Sequence, residues 1–260
     1  MFQPTPIVRP SRRTGLVALV VALVVAGGAV AVPSQQAAAY TTVFYTGAGP
    51  SVPHIGLIGD SSLAGVRWSN AYDPLKVFNF TFDAESCRRT TTASCRGRES
   101  YAPENAITTL RRLSGQWGSV LVMVTGYNDP GSSFAGSVDI IMQEAVRQGI
   151  PHVIWLTMRT ADVTYVSPTF RSNTYTFRDN NRILLQKAQQ WGGRLQIADW
   201  ATYSANRPEW FTSDGVHTTR SGPAAQTAFI AGQARTVLNG TSITPPSPTQ
   251  TPSVWANLRR

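Results

Sequence analysis

Short strand-like apolar runs recur along this chain, alternating with segments of helical period. The third, Ser119–Val124, is too uniformly apolar to leave one face in water. A strand with one wet face alternates apolar and polar residues, whereas runs without alternation belong to parallel sheets covered on both faces. The other runs are His54–Ile58, Val77–Phe82, His152–Thr157 and Leu195–Ala198. Between them, Glu104–Leu113 follows Pro103, which suits a first helical turn. Phe134–Gln148 stops at Gly149, Asn173–Trp191 stops at Gly192-Gly193, and Ser221–Leu238 ends before Gly240. This alternation predicts a three-layer α/β/α sandwich on a mostly parallel sheet of roughly five strands, joined by right-handed crossovers. No internal repeat is present.

Ligand sites in open α/β sheets collect at the carboxyl ends of the strands. Two short segments fall there, Gly59-Asp60-Ser61 after the first run and Gly126-Tyr127-Asn128-Asp129 after the third, and a third, Asp214-Gly215-Val216-His217, lies in the loop before the last helix. Together they hold the parts of acyl transfer. A serine hydroxyl is a weak nucleophile until a base takes its proton, and that base is usually held in one tautomer by a carboxylate. Ser61 is the candidate nucleophile, and its N–H, at the start of a helix, would be a free donor. Of three histidines, His54 and His152 open apolar runs and read as structural; His217 has Asp214 three residues before it. The bland readings are an N-cap at Asp60 or Ser61 and a turn at Asn128-Asp129-Pro130-Gly131. Asp129 reads as a loop or capping residue. The serine does not sit in a G-x-S-x-G elbow, because position 63 is Leu.

In this order Ser61, Asn128, Asp214 and His217 resemble the SGNH (GDSL-type) hydrolase family over most of residues 50–237. The resemblance implies an SGNH/flavodoxin-like sandwich without metal or organic cofactor. Ser61 would be the nucleophile, His217 the base and Asp214 its orienting carboxylate. The oxyanion would be held by the Ser61 N–H and the Asn128 amide. The family pattern places a further donor, normally a glycine, after the second strand. Here that stretch is Asp83–Arg89 with no glycine before Gly97. Gly97 or Arg88 is the expected substitute.

The termini and charge fit an exported enzyme. Arg9, Arg12 and Arg13 precede an apolar segment from Leu16 to Val32, and Ala37-Ala38-Ala39 offers a small-residue cleavage site. Residues 1–39 therefore read as a signal peptide, or as an uncleaved anchor that is short for the roughly 20 residues a span needs. Residues 40–239 form the hydrolase domain, and the Pro/Ser/Thr-rich residues 240–260 form a tail. The net charge is +9, but five basic residues lie in the termini, leaving 18 basic against 14 acidic between them. With no basic stripe interleaved with aromatics, nucleic-acid binding is not expected. Arginine outnumbers lysine 21 to 2, as in a GC-rich bacterium. Cys87 and Cys95, both exported, are expected to form a disulfide, and their spacing fits no zinc site. Arg88, Arg89, Arg96 and Arg98 make that loop basic, suited to an anionic substrate or to solvent. Trp210-Phe211 reads as a substrate wall or as core. The expected function is an exported, monomeric serine esterase acting on a small-molecule, lipid or glycan ester. Membrane contact would come only through an uncleaved N-terminal segment. A cell-envelope O-acyltransferase is the alternative within the same chemistry, and a non-catalytic carbohydrate-binding protein lies outside it.

Overall fold

The computed structural model describes residues 41–160 and 168–243, residues 168–173 by their backbone alone. The expected signal peptide, residues 1–39, and the part of the expected tail beyond residue 243 lie outside the described residues. The elements run β1 (Val43–Tyr45), β2 (His54–Gly59), α1 (Ser61–Ser69), β3 (Asn79–Ala84), α2 (Ala106–Arg112), β4 (Val120–Val124), α3 (Gly131–Arg147), β5 (His152–Leu156), α4 (Pro168–Trp191), β6 (Leu195–Ala198), α5 (Trp200–Tyr203) and α6 (Gly222–Leu238). Short 3-10 turns occur at Asp73–Val77, Gly192–Arg194 and Pro208–Trp210.

The sheet order is β1-β3-β2-β4-β5-β6. β1 pairs antiparallel with β3, and the other neighbours are parallel. The period-2 geometry of strands sends alternate side chains to opposite layers. Along β4, Val120, Val122 and Val124 join the core under α1 and α6, while Leu121 and Met123 join the core under α2, α3 and α4. β5 repeats this with Ile154 and Leu156 against Val153 and Trp155. Each such aliphatic side chain contributes roughly 1.5–3 kcal/mol by leaving water. That two-sided demand explains the unbroken apolar run of β4.

The architecture is the expected α/β/α sandwich, with one more strand than the apolar runs suggest. β1 is three residues long and leaves Phe44 exposed, so it carries no readable periodicity. The second run is also displaced. Val77 ends a 3-10 turn that Pro74 opens, and β3 starts at Asn79. α4 begins at Pro168 rather than near residue 173, in keeping with proline's fitness for a first turn.

Candidate active site

Ser61 stands at the first position of α1, directly after β2. The preceding Asp60 is fully buried and caps the helix, its Oδ1 accepting from the Ser62 N–H at 2.8 Å and the Ser62 hydroxyl at 2.7 Å. As an N1 residue, Ser61 has a backbone N–H without an intrahelical acceptor. The capping reading of this segment therefore holds for Asp60 and not for Ser61, which is the first helical residue.

Asp214 and His217 lie on a tight loop closed by a β-bridge between Phe211 and Thr218. The Thr212 N–H donates to the His217 carbonyl at 2.8 Å, and Gly215 takes φ +70°, a left-handed conformation glycine enters without steric cost. Asp214 Oδ1 accepts from the N–H groups of Val216 (2.8 Å) and His217 (2.9 Å), and Oδ2 meets His217 Nδ1 at 2.6 Å. His217 Nε2 lies 2.9 Å from Ser61 Oγ. With Nδ1–H donating to Asp214, Nε2 presents its lone pair to the serine hydroxyl.

A second close approach lies beside the Ser61–His217 contact. Gly65 lies one turn beyond Ser61 on the same face of α1, and a Cβ there would stand 2.5 Å from Thr218 Oγ1. Only glycine admits this approach.

The charges are tuned accordingly. Burial alone would raise the Asp214 pKa, but hydrogen bonds from the His217 ring and from two backbone N–H groups hold it well below the usual carboxylate range. The bond to Asp214 raises the His217 pKa above its ordinary 6.5, burial opposing it and the Asp214 and Asp60 charges adding to it. Burial pushes the Asp60 carboxyl up to about 6, partly offset by its bonds to Ser62.

Asn128 follows β4, and its Nδ2 donates to the Arg88 carbonyl at 3.1 Å. An amide nitrogen carries two hydrogens, so this bond orients the group and leaves one hydrogen for a further acceptor. Asp129 is a positioning residue of the loop. It is buried, which raises its pKa, and it accepts from the Thr90 N–H and hydroxyl, the latter at 2.8 Å. The loop after β4 is thereby fastened to the loop after β3.

The two expected substitutes for the family's glycine part company here. Gly97 donates its N–H to the Tyr101 carbonyl at 2.8 Å and serves a turn of its own. The Arg88 peptide adjoins Asn128. Just before it, Cys87 takes φ +63°, which is unusual without glycine. Cys87 and Cys95 are disulfide-bonded, with Cα atoms 5.3 Å apart.

The basic cluster of this loop is less exposed than its composition suggests. The Arg88 guanidinium is buried, pairing with Asp83 at 2.6 Å and donating to the Glu104 and Asp83 carbonyls. Arg98 lies 4.6 Å over the Trp68 ring, and Glu99 takes Arg67 at 2.7 Å and Trp68 Nε1 at 3.0 Å, stapling the loop to the end of α1. Phe211 is core, and Trp210 stacks on Trp200 with centroids 6.0 Å apart. His54 Nε2 meets Thr81 Oγ1 at 2.9 Å, a strand-to-strand contact.

Three supporting residues carry no motif. Asn180 donates to the carbonyls of Gly126 (3.0 Å) and Asp129 (3.2 Å), and Asn181 exchanges two 2.7 Å bonds with the Met158 backbone. Adjacent asparagines inside a helix are locally unfavourable, and that anomaly was their readable signal. Arg159 follows β5 at the carboxyl edge of the sheet, and its Nη1 donates to the Gly215 carbonyl at 2.8 Å.

Reduction should act on stability and rate together, because the disulfide loop supplies the carbonyl that orients Asn128. A Cys87→Ser/Cys95→Ser variant is expected to lose roughly 2–3 kcal/mol of stability in the chain-entropy picture. Its kcat, measured below its lowered melting temperature, should fall as well. Full kcat in the folded variant would make the bridge purely structural.

The fold and this edge define an α/β protein with the SGNH-hydrolase fold. No family model matches the chain, and no curated protein matches it significantly. Among solved structures it is similar to the catalytic domain of peptidoglycan O-acetyltransferase A from Streptococcus pneumoniae, carrying a methylsulfonyl adduct (19% identity, TM-score 0.52, covering 73% of this chain and 94% of that one). A candidate acylhydrolase from Bacteroides fragilis matches at 16% identity and TM-score 0.56, covering 72% and 88%. A candidate SGNH hydrolase from Slackia heliotrinireducens matches at 17% and 0.52, covering 70% and 98%.

Proposed function

We propose that this chain is an exported serine esterase of the SGNH type. The observation that carries the reading is the continuous line from Asp214 through His217 to Ser61, with contacts of 2.6 and 2.9 Å. In this reaction Ser61 Oγ attacks the ester carbonyl carbon as its proton passes to His217 Nε2. The tetrahedral oxyanion accepts hydrogen bonds from the Ser61 N–H and the free hydrogen of Asn128, and losing one such donor typically costs about 10²–10³ in kcat. Collapse breaks the ester C–O bond, and His217 returns the proton to the departing alcohol. Water, deprotonated by His217, then attacks the acyl-serine and regenerates the hydroxyl. Asp214 keeps Nδ1 protonated and offsets the imidazolium charge without taking the proton. Export is supported by the charged and apolar N-terminus in the sequence and by a disulfide, a bond that persists in oxidising compartments.

A second reading replaces the water with a sugar hydroxyl and makes the chain an envelope O-acyltransferase. The fold shared with an O-acetyltransferase domain favours keeping it in view. Product analysis with an acyl donor, with and without a glycan acceptor, separates the two. Free acid in both conditions supports the esterase, and acylated glycan at the expense of free acid overturns it. If a fluorophosphonate probe leaves no adduct at Ser61 by mass spectrometry, both enzymatic readings fail and a non-catalytic binding role is left.

A further inference from the structure

Arg159 is 6% exposed, yet no carboxylate among the described residues pairs with it. Its Nη1 donates to the Gly215 carbonyl at 2.8 Å, and its Cζ stands 4.2 Å from the centroid of the Phe211 ring. Its backbone N–H donates to the Tyr127 hydroxyl, and its Nε is buried with no partner among the described residues. For stability alone this is a poor arrangement. Taking a guanidinium out of water is costly unless a counter-charge and a full set of acceptors replace the water, and a well-packed apolar residue of similar volume commonly serves a core as well or better. Methionine would fill the same space with a flexible, apolar chain. What methionine cannot do is donate to Gly215.

That carbonyl belongs to the residue between Asp214 and Val216, so the bond reaches the middle of the acid–base loop. The other two contacts extend it. Phe211 begins the same loop, and Tyr127 is the neighbour of Asn128 on the loop after β4. One side chain and its own N–H thus connect the loop carrying the proton acceptor to the loop carrying the amide donor. From within, the Asp214–His217 loop is held by Asp214's own bonds; from the β5 side it is held by Arg159.

We infer that Arg159 is a positioning residue of the reaction, fixing the Asp214–His217 loop relative to the oxyanion donors through Gly215, Phe211 and Tyr127. This rests on the proposed acyl-transfer reading of the same site. The reacting groups must sit within about 1 Å of their productive placement, and misplacement on that scale costs about 10²-fold in rate. Substrate affinity has no such dependence on the contact, because the bond is made to the protein's own backbone.

The test compares wild type with Arg159→Met and Arg159→Lys on an activated ester, alongside labelling of Ser61 by a fluorophosphonate probe. Arg159→Met is expected to remain folded, to lose roughly ten- to a hundredfold in kcat and labelling rate, and to keep KM within about twofold. Arg159→Lys, which keeps a donor within reach of Gly215, should recover part of the loss. A folded Arg159→Met variant with kcat and labelling unchanged would overturn the inference. So would a raised KM at unchanged kcat, the mark of a residue that binds substrate directly. If wild type itself takes no label, the acyl-transfer reading falls and this inference falls with it; if wild type is labelled and the variants are undiminished, only this inference falls.

Discussion

Ser61→Ala is expected to leave a folded, disulfide-bonded protein whose kcat is lower by roughly 10⁶-fold, the loss seen when such a nucleophile is removed from a working triad. The fold should tolerate the change, because the cap of α1 is Asp60 acting on Ser62, and alanine is the best helix former. Whatever activity survives would come from binding and the oxyanion donors alone. The measurement is ester turnover together with the melting temperature. Retention of more than about a tenth of kcat, far above that precedent, would remove Ser61 from the mechanism.

Asp214→Asn should cost roughly 10⁴-fold in kcat. The substituted amide can still accept from the Val216 and His217 N–H groups, but its NH₂ facing Nδ1 would select the wrong tautomer. The pH profile carries a separate signature. An imidazole acts as base only when neutral, and the His217 pKa lies above 6.5 chiefly because of Asp214. Wild-type kcat/KM should therefore rise along a limb centred above pH 6.5, and the residual activity of the variant should rise at lower pH. Stability follows the opposite group. The Asp214 pKa is depressed on folding, so its contribution is present above the ordinary carboxylate pKa of about 3.9 and is lost as pH falls through the folded value. The melting difference between the two proteins should shrink towards acid pH. A pH profile that is flat from 5 to 8 in wild type would exclude histidine as the base.

The parts of this site that could be read from the chain are those tied to local pattern. β4 announced itself because both of its faces are buried, and the Asp214–His217 pair because one short loop holds both residues. Asn128 was legible as a residue just past a strand end. The obscure parts depend on long-range contact. The Asn180–Asn181 clamp joins α4 to two loops that lie far away in the chain, and no periodicity encodes it. The Arg88 backbone is a candidate donor from the sequence, but its side chain reads there only as part of a basic loop facing an anionic substrate or solvent. Its burial follows from Asp83, which lies at the end of β3 and could not be placed while that strand was read two residues too early. β1 escaped because three residues, one of them an exposed phenylalanine, are too few to show a period.

The close approach of Gly65 to Thr218 gives the site a particular vulnerability to drift. Ser61 and Gly65 are successive contacts of one helix face, and His217 and Thr218 are successive residues of the loop they meet, so the two pairs dock like adjacent teeth. In an ordinary helix interior, alanine is preferred to glycine by roughly 0.5–1 kcal/mol. Local selection for a sturdier α1 therefore favours the one methyl group that would press on the Thr218 side chain beside Ser61 and His217. At position 65 the helix is kept weaker than it needs to be, and the space of one missing atom is what the Thr218 hydroxyl, next to the imidazole in the chain, occupies.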